Sequence, residues 1–188
     1  MSGKKRIDYN APVVLTFALI SGGALVLNLL TLGASNRLIF STYRSGFKDI
    51  FTYIRLFCHV LGHADVSHYV GNMMMFLLLG PIVEEKYGSK NLLILIATTA
   101  VITGLVNTML FSSTLLGASG VVFCLIVLVS MTSFTSGRIP LTMILVMVIY
   151  LGQEVYTGLF TRDNISQLTH IIGGVIGCVY GYNHRGRR

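Results

Sequence analysis

Six apolar runs, each about as long as a helix must be to cross the hydrocarbon core of a bilayer, leave this chain few ways to fold. They cover residues 12–32, 66–87, 91–111, 119–135, 139–156 and 167–183. Charged residues make up 11% of the chain, hydrophobic residues 53%, and the mean hydropathy is +0.73. A soluble domain carries roughly 25% charged residues, so the expectation is an all-α integral membrane protein. Its size suits a single membrane domain over residues 1–188, with a short N-terminal segment (1–11) and a basic tail (184–188). The fourth and sixth runs are short, which places their ends inside the protein rather than at the lipid surface. No internal repeat stands out.

The formal net charge of +7 invites a nucleic-acid reading, but the basic residues are scattered and no aromatic-interleaved basic patch exists. They fix orientation instead. With the N-terminus in the cytoplasm, nine lysines and arginines lie inside: Lys4, Lys5, Arg6, Lys86, Lys90, Arg138, Arg185, Arg187 and Arg188. Five lie outside, namely Arg37, Arg44, Lys48, Arg55 and Arg162. The inner ones sit beside segment ends, where the bias counts most, so both termini are assigned to the cytoplasm. The apolar stretch after Lys4-Lys5-Arg6 lacks a clear cleavage site and reads as a span rather than a signal peptide. Cys58, Cys124 and Cys178 have neither disulfide nor metal spacing. The connection from Gly33 to Asp65 is too long for a simple loop, and its interleaved apolar and charged residues fit amphipathic helices in the outer interface.

Ionisable and amide side chains inside such segments are costly, so each requires an account. His68 and Asn72, four apart on one helix face, lie near the outer start of the second run, His170 near that of the sixth, and Ser119 begins the fourth. Counted from the inner ends of their runs, Ser119, Asn72 and His170 stand at roughly 24, 22 and 20 Å, one layer below the outer surface. Ser119 lies between Gly117 and Gly120, which let another backbone approach, and the start of a helix offers it free backbone N–H groups. His170, Gly173, Gly174, Gly177 and Gly181 share one face of the sixth run, a pattern that permits close helix packing. The fourth and sixth helices are therefore expected to bring the Ser119 hydroxyl to His170. The histidine would take the serine proton as the hydroxyl attacks a carbonyl, and His68, Asn72 and the Ser119 backbone would hold the oxyanion. No acidic residue is placed to orient the imidazole. Glu154 and Asp163 are topological candidates that better suit an outer-loop or surface role. Phe123 and close helix packing are left to set the ring.

These residues resemble the rhomboid intramembrane serine proteases along nearly the whole chain. The matching pieces are His59-x-x-x-His63-x-x-x-x-His68-x-x-x-Asn72, Glu84 with Gly88, Gly117-Ala118-Ser119-Gly120, and His170-x-x-Gly173-x-x-x-Gly177. The resemblance implies a six-transmembrane-helix bundle around a water-filled cavity open to the outside, with an amphipathic first outer loop. It also implies a Ser–His dyad with no cofactor, acting on transmembrane protein substrates. In that scheme Ser119 is the nucleophile, His170 the general base, and His68 and Asn72 the oxyanion-hole side chains. His59, His63 and Arg55 become structural residues of the first outer loop. The family's tryptophan before the arginine is here Ile54, and Phe123 stands where some members carry a tyrosine. Glu84, near the inner end of its segment, is expected to make a salt bridge or a helix-end contact. The fifth run and the loop 158–166 are the expected movable elements, with Met143, Met147 and Tyr150 lining an entry path. A short N-terminal segment and six runs suit a bacterial-type core.

Other function classes are compatible with parts of the pattern. A zinc-dependent intramembrane protease would use His59, His63 and His68, although there is no HExxH motif. A catalytically inactive relative would bind membrane helices, yet such proteins usually lack the serine or the histidine. A transporter would suit the glycine-rich sixth run, but internal repeats are wanting.

Overall fold

The structure is a computed structural model that describes residues 9–132, 141, 144–145, 148–149 and 164–184. Its helices are α1 (Pro12–Leu30), α2 (Ile50–Cys58), α3 (Val66–Tyr87), α4 (Ser89–Leu110), α5 (Ser119–Thr132) and α6 (Asn164–Asn183). A π-helical turn at Asn36–Phe40 and a 3-10 turn at His59–Leu61 flank α2. Among the described residues the only β-type pairing is an isolated bridge between Thr42 and Leu115. By length and composition α1, α3 and α4 can cross a membrane, and α5 is a shorter apolar helix. The fifth expected span falls largely outside the described residues, with helical backbone at 141, 144–145 and 148–149.

Several helix ends differ from the apolar runs for local reasons. Leu32 (φ 50°) and Gly33 (φ 92°) turn the chain away just after α1, which therefore stops short of residue 32. Gly88, at φ 84°, separates α3 from α4, and α4 takes in Ser89 and Lys90 ahead of its apolar run. The sixth run extends upstream to Asn164.

The core runs through α1, α3, α4 and α5, with Val14, Phe76, Leu92, Val121 and Leu125 wholly buried. The most extensive helix pairing among the described residues is that of α5 with α6. Three glycines of α6 lie close against α5. A methyl group at Gly173 would overlap the Gly120 carbonyl, and one at Gly177 would lie 2.6 Å from the Cys124 carbonyl oxygen. At Gly181 it would lie 2.7 Å from the Met131 sulfur. These three residues, four apart, form the small-residue face expected of the sixth run.

The outer loop has an inverted polarity. In α2, Thr52, Arg55 and Leu56 face inward, while Ile50, Phe51, Tyr53, Ile54 and Phe57 are exposed. An apolar outer face suits a helix lying in the membrane interface. The buried Arg55 guanidinium donates to Asp49 at 2.8 Å and Thr52 at 3.0 Å, and sits 4.6 Å over the Tyr43 ring. Asp49 also caps α2, accepting from the Phe51 N–H. Ile54 is exposed, and the loop is anchored by Asp49 and Tyr43 on Arg55.

At the opposite end, Glu84 is buried and caps α1 from another helix. Its two oxygens accept the Val13 and Val14 N–H groups, each at 3.0 Å, and the Ser89 hydroxyl at 2.7 Å. Ala11 has no side-chain cap to offer, so Glu84 supplies the missing acceptor and a negative charge at the positive end of the helix dipole. Of the two expected roles it fills the helix-end contact. Glu84→Ala is predicted to lower stability by about 2 kcal/mol, read as the unfolding midpoint in detergent, with Glu84→Gln losing less. An unchanged midpoint for Glu84→Ala would contradict this capping role.

Candidate active site

The site is assembled by three local devices. The first is the start of α3. Asp65 is extended and caps the helix, its carboxylate accepting the His68 N–H and the Ser67 hydroxyl, each at 2.8 Å. Those bonds hold the Asp65 carboxyl below the usual carboxylate range, the His68 N–H contributing most. The cap places His68 in the first turn and Asn72 one turn on, with Asn72 Nδ2 donating to the His68 carbonyl at 3.2 Å. The Ala64 N–H donates to His68 Nδ1 at 3.4 Å, so the neutral ring carries its proton on Nε2.

The second device presents the serine. Leu115 and Thr42 exchange backbone hydrogen bonds of 2.8 Å each, and the Gly117 N–H donates to the His59 carbonyl at 2.9 Å. Buried Asn107 reinforces this junction, donating to the Thr42 carbonyl at 3.0 Å and the Ser113 carbonyl at 3.2 Å. Gly117 has φ 119°, and a methyl group there would lie 2.8 Å from His68 Nε2. Both conformation and space therefore require glycine. Two residues later Ser119 opens α5, among the unpaired N–H groups of the helix end.

The third device is the α5–α6 contact. With the Gly173 backbone against Gly120, His170 lies over Phe123, the rings stacked at 4.3 Å and 5°. His170 is 9% exposed. A cavity of about 320 Å³ is lined by Ser67, His68, Gly71, Asn72, Ser119 and His170. Side chains from α3, α5 and α6 thus meet at one pocket. Gly174 differs from its neighbours in the motif, since a methyl group there would make an ordinary 3.8 Å contact with Val127.

His59 and His63 stand behind this pocket as buried supports. His59 Nδ1 donates to the Arg55 carbonyl at 3.2 Å, and its Nε2 is 3.3 Å from the Thr103 hydroxyl. His63 Nδ1 donates to the Leu61 carbonyl at 3.2 Å, and its ring packs edge-on against His68 and Tyr69. Among the described residues no three His, Cys, Asp or Glu side chains are grouped to hold a metal, so the three histidines do not form a zinc site there. Met143, Met147, Tyr150, Glu154, Asp163 and residues 158–163 of the expected loop 158–166 lie outside the described residues, and its last three residues open α6 instead.

Sequence reasoning missed the roles of Asp65, Asn107, Ser67 and Gly71. Asp65 was detectable, since an aspartate three residues before His68 at the head of an apolar run is a capping signal. Asn107 joins residues distant in sequence and carries no local signal.

A multi-helix membrane fold whose pocket gathers a serine and two histidines from separate helices defines a narrow class. The Rhomboid domain family matches residues 51–187, and the chain belongs to the rhomboid family. It is similar to the rhomboid protease GlpG of Haemophilus influenzae, with 24% identity over 162 residues, covering 77% of this chain and 84% of that protein.

Burial lowers the pKa of His59 to about 4, and burial together with nearby His68 lowers that of His63 to about 4. In the unfolded chain both titrate near 6.5. Between those values the unfolded state binds more protons, so stability complete above about pH 6.5 is lost as the pH falls toward 4. The unfolding midpoint is predicted to fall across that window, and His59→Phe to flatten the fall. A midpoint independent of pH between 6.5 and 4 would contradict the neutral, buried state of these rings.

Proposed function

We propose that this chain is a serine-type intramembrane endopeptidase that cuts transmembrane substrates in or near the outer part of the bilayer. One observation carries the reading: Ser119 and His170, far apart in sequence, border the same pocket, with the imidazole held flat against Phe123. Membership of the rhomboid family and the similarity to a rhomboid protease support it. In this reading both termini face the cytoplasm of a plasma membrane, and residues 1–188 form one membrane domain.

Neutral His170 accepts the Ser119 proton as the hydroxyl oxygen bonds to the substrate carbonyl carbon. The resulting oxyanion accepts hydrogen bonds from the His68 Nε2–H, an Asn72 amide hydrogen and the Ser119 backbone N–H. One such donor is typically worth about 3 kcal/mol in the transition state. The C–N bond then breaks, protonated His170 gives its proton to the departing amine, and an acyl ester on Ser119 remains. Water, deprotonated by His170, hydrolyses that ester and regenerates the serine. The Phe123 stack holds the plane of the imidazole, an orienting task that a carboxylate performs in a triad.

Cleavage of a fluorogenic transmembrane peptide in proteoliposomes tests the assignment. Ser119→Ala and His170→Ala are predicted to abolish cleavage with folded yield unchanged. Asn72→Ala is predicted to lower kcat by about a hundredfold with little change in KM. Full cleavage by Ser119→Ala would refute the nucleophile.

A further inference from the structure

Hydrogen bonding alone leaves the His68 ring weakly fixed. Among the described residues the ring has one such bond, from the Ala64 N–H to Nδ1, and at 3.4 Å it is long. An oxyanion donor acts only if its N–H is aimed before the charge develops, so the ring plane needs a further restraint. Packing supplies it. The His63 ring lies 5.1 Å from that of His68 at 71°, and 5.3 Å from that of Tyr69 at 88°. Both are edge-to-face contacts of the kind aromatic rings favour. We propose that Tyr69 is a positioning residue for the oxyanion hole: through His63 it refers the His68 ring to α1, a helix that contributes no described residue to the pocket. The proposal rests on the proteolytic reading of that pocket.

Each link of this chain is anchored. The Tyr69 hydroxyl donates to the Ala18 carbonyl in the middle of α1 at 3.0 Å. That carbonyl also accepts the helical N–H four residues on, at Gly22, so the hydroxyl must come in beside position 22. A methyl group at Gly22 would lie 3.0 Å from the Tyr69 hydroxyl oxygen, and the missing side chain is what opens the way. Below this point α1 is fixed against α3. A methyl group at Gly80 would lie 2.7 Å from a Val14 methyl, and Glu84 holds the Val13 and Val14 N–H groups. His63 is wholly buried, with Nδ1 donating to the Leu61 carbonyl and its own carbonyl accepting from Asn36 Nδ2 at 2.9 Å. Its ring therefore has little freedom to follow any movement except that of Tyr69. At the far end, His68 Nε2 faces Gly117, two residues before the serine, where a methyl group would lie 2.8 Å away. A small tilt of the ring there misdirects its N–H.

The test is a double-mutant cycle on the full chain in proteoliposomes, with kcat and KM measured on the fluorogenic transmembrane peptide. Tyr69→Phe keeps the ring and loses the bond to α1, and should lower kcat about fivefold with little change in KM. Gly22→Ala, which pushes the hydroxyl off Ala18 from within α1, should do the same, and the two together should cost no more than either alone. Alanine is the better helix former, so a fall in kcat with Gly22→Ala does not come from a weakened α1. His63→Ala should lower kcat roughly twentyfold, and His63→Phe, which restores a ring, should recover most of that loss. In a His68→Ala background Tyr69→Phe should have no further effect. Unchanged kcat in both Tyr69→Phe and Gly22→Ala, a change in KM alone, or an equal cost of Tyr69→Phe with and without His68 would each overturn the proposal while leaving Ser119 as the nucleophile. Full cleavage by Ser119→Ala would overturn the proteolytic reading and the proposal together.

Discussion

The contact between the Gly120 and Gly173 backbones governs the rest of the site. Any side chain at Gly173 would collide with the Gly120 carbonyl, and a methyl group at Gly120 would come within 2.9 Å of Thr169. Two helices far apart in the chain therefore meet main chain to main chain at this point. In a bilayer no water-driven collapse forces helices together, and close backbone approach with its dispersion contacts is what remains. The same contact sets how far His170 reaches. Its ring lands flat on Phe123, three residues past Gly120 on α5. In the proposed mechanism that stack sets the orientation of the base.

The polar groups elsewhere follow the rule that a buried charge survives only when matched. Arg55 has Asp49 and the face of Tyr43, and Glu84 has the first N–H groups of α1. The two lie at opposite ends of the bundle. Arg55 anchors the outer loop that, through His59 and Thr42, holds the segment leading to Ser119. Glu84 locks α1 onto α3 at the inner end. The pocket is thus held from behind by paired charges and neutral histidines, which leaves the polar groups of His68, Asn72, Ser119 and His170 around open space.

Much of this was legible in the residues themselves. Apolar run length gave the helices, because in hydrocarbon a backbone must satisfy its own hydrogen bonds. The spacing of Gly173, Gly177 and Gly181 announced a contact face, and Gly120 beside Ser119 announced a close backbone approach, whereas the positive φ of Gly117 came only with the structure. Helix ends were harder, since Ser89, Lys90, Asn164 and Ser166 are polar yet helical. The loop anchor was harder still. The absent tryptophan beside Arg55 cast doubt on that loop, but Asp49 and Tyr43 are six and twelve residues away and nothing local links them to the guanidinium. Asn107, which ties α4 to Thr42 and Ser113, is invisible for the same reason.

In the proposed mechanism, close packing of α5 on α6 activates one serine. Labelling the purified protein with a fluorophosphonate, followed by peptide mapping, tests it most directly. A single adduct is expected on Ser119, disappearing in Gly173→Leu while the helical content of that variant persists. An adduct on a different residue, or Ser119 labelled as readily in Gly173→Leu as in the parent, would contradict it.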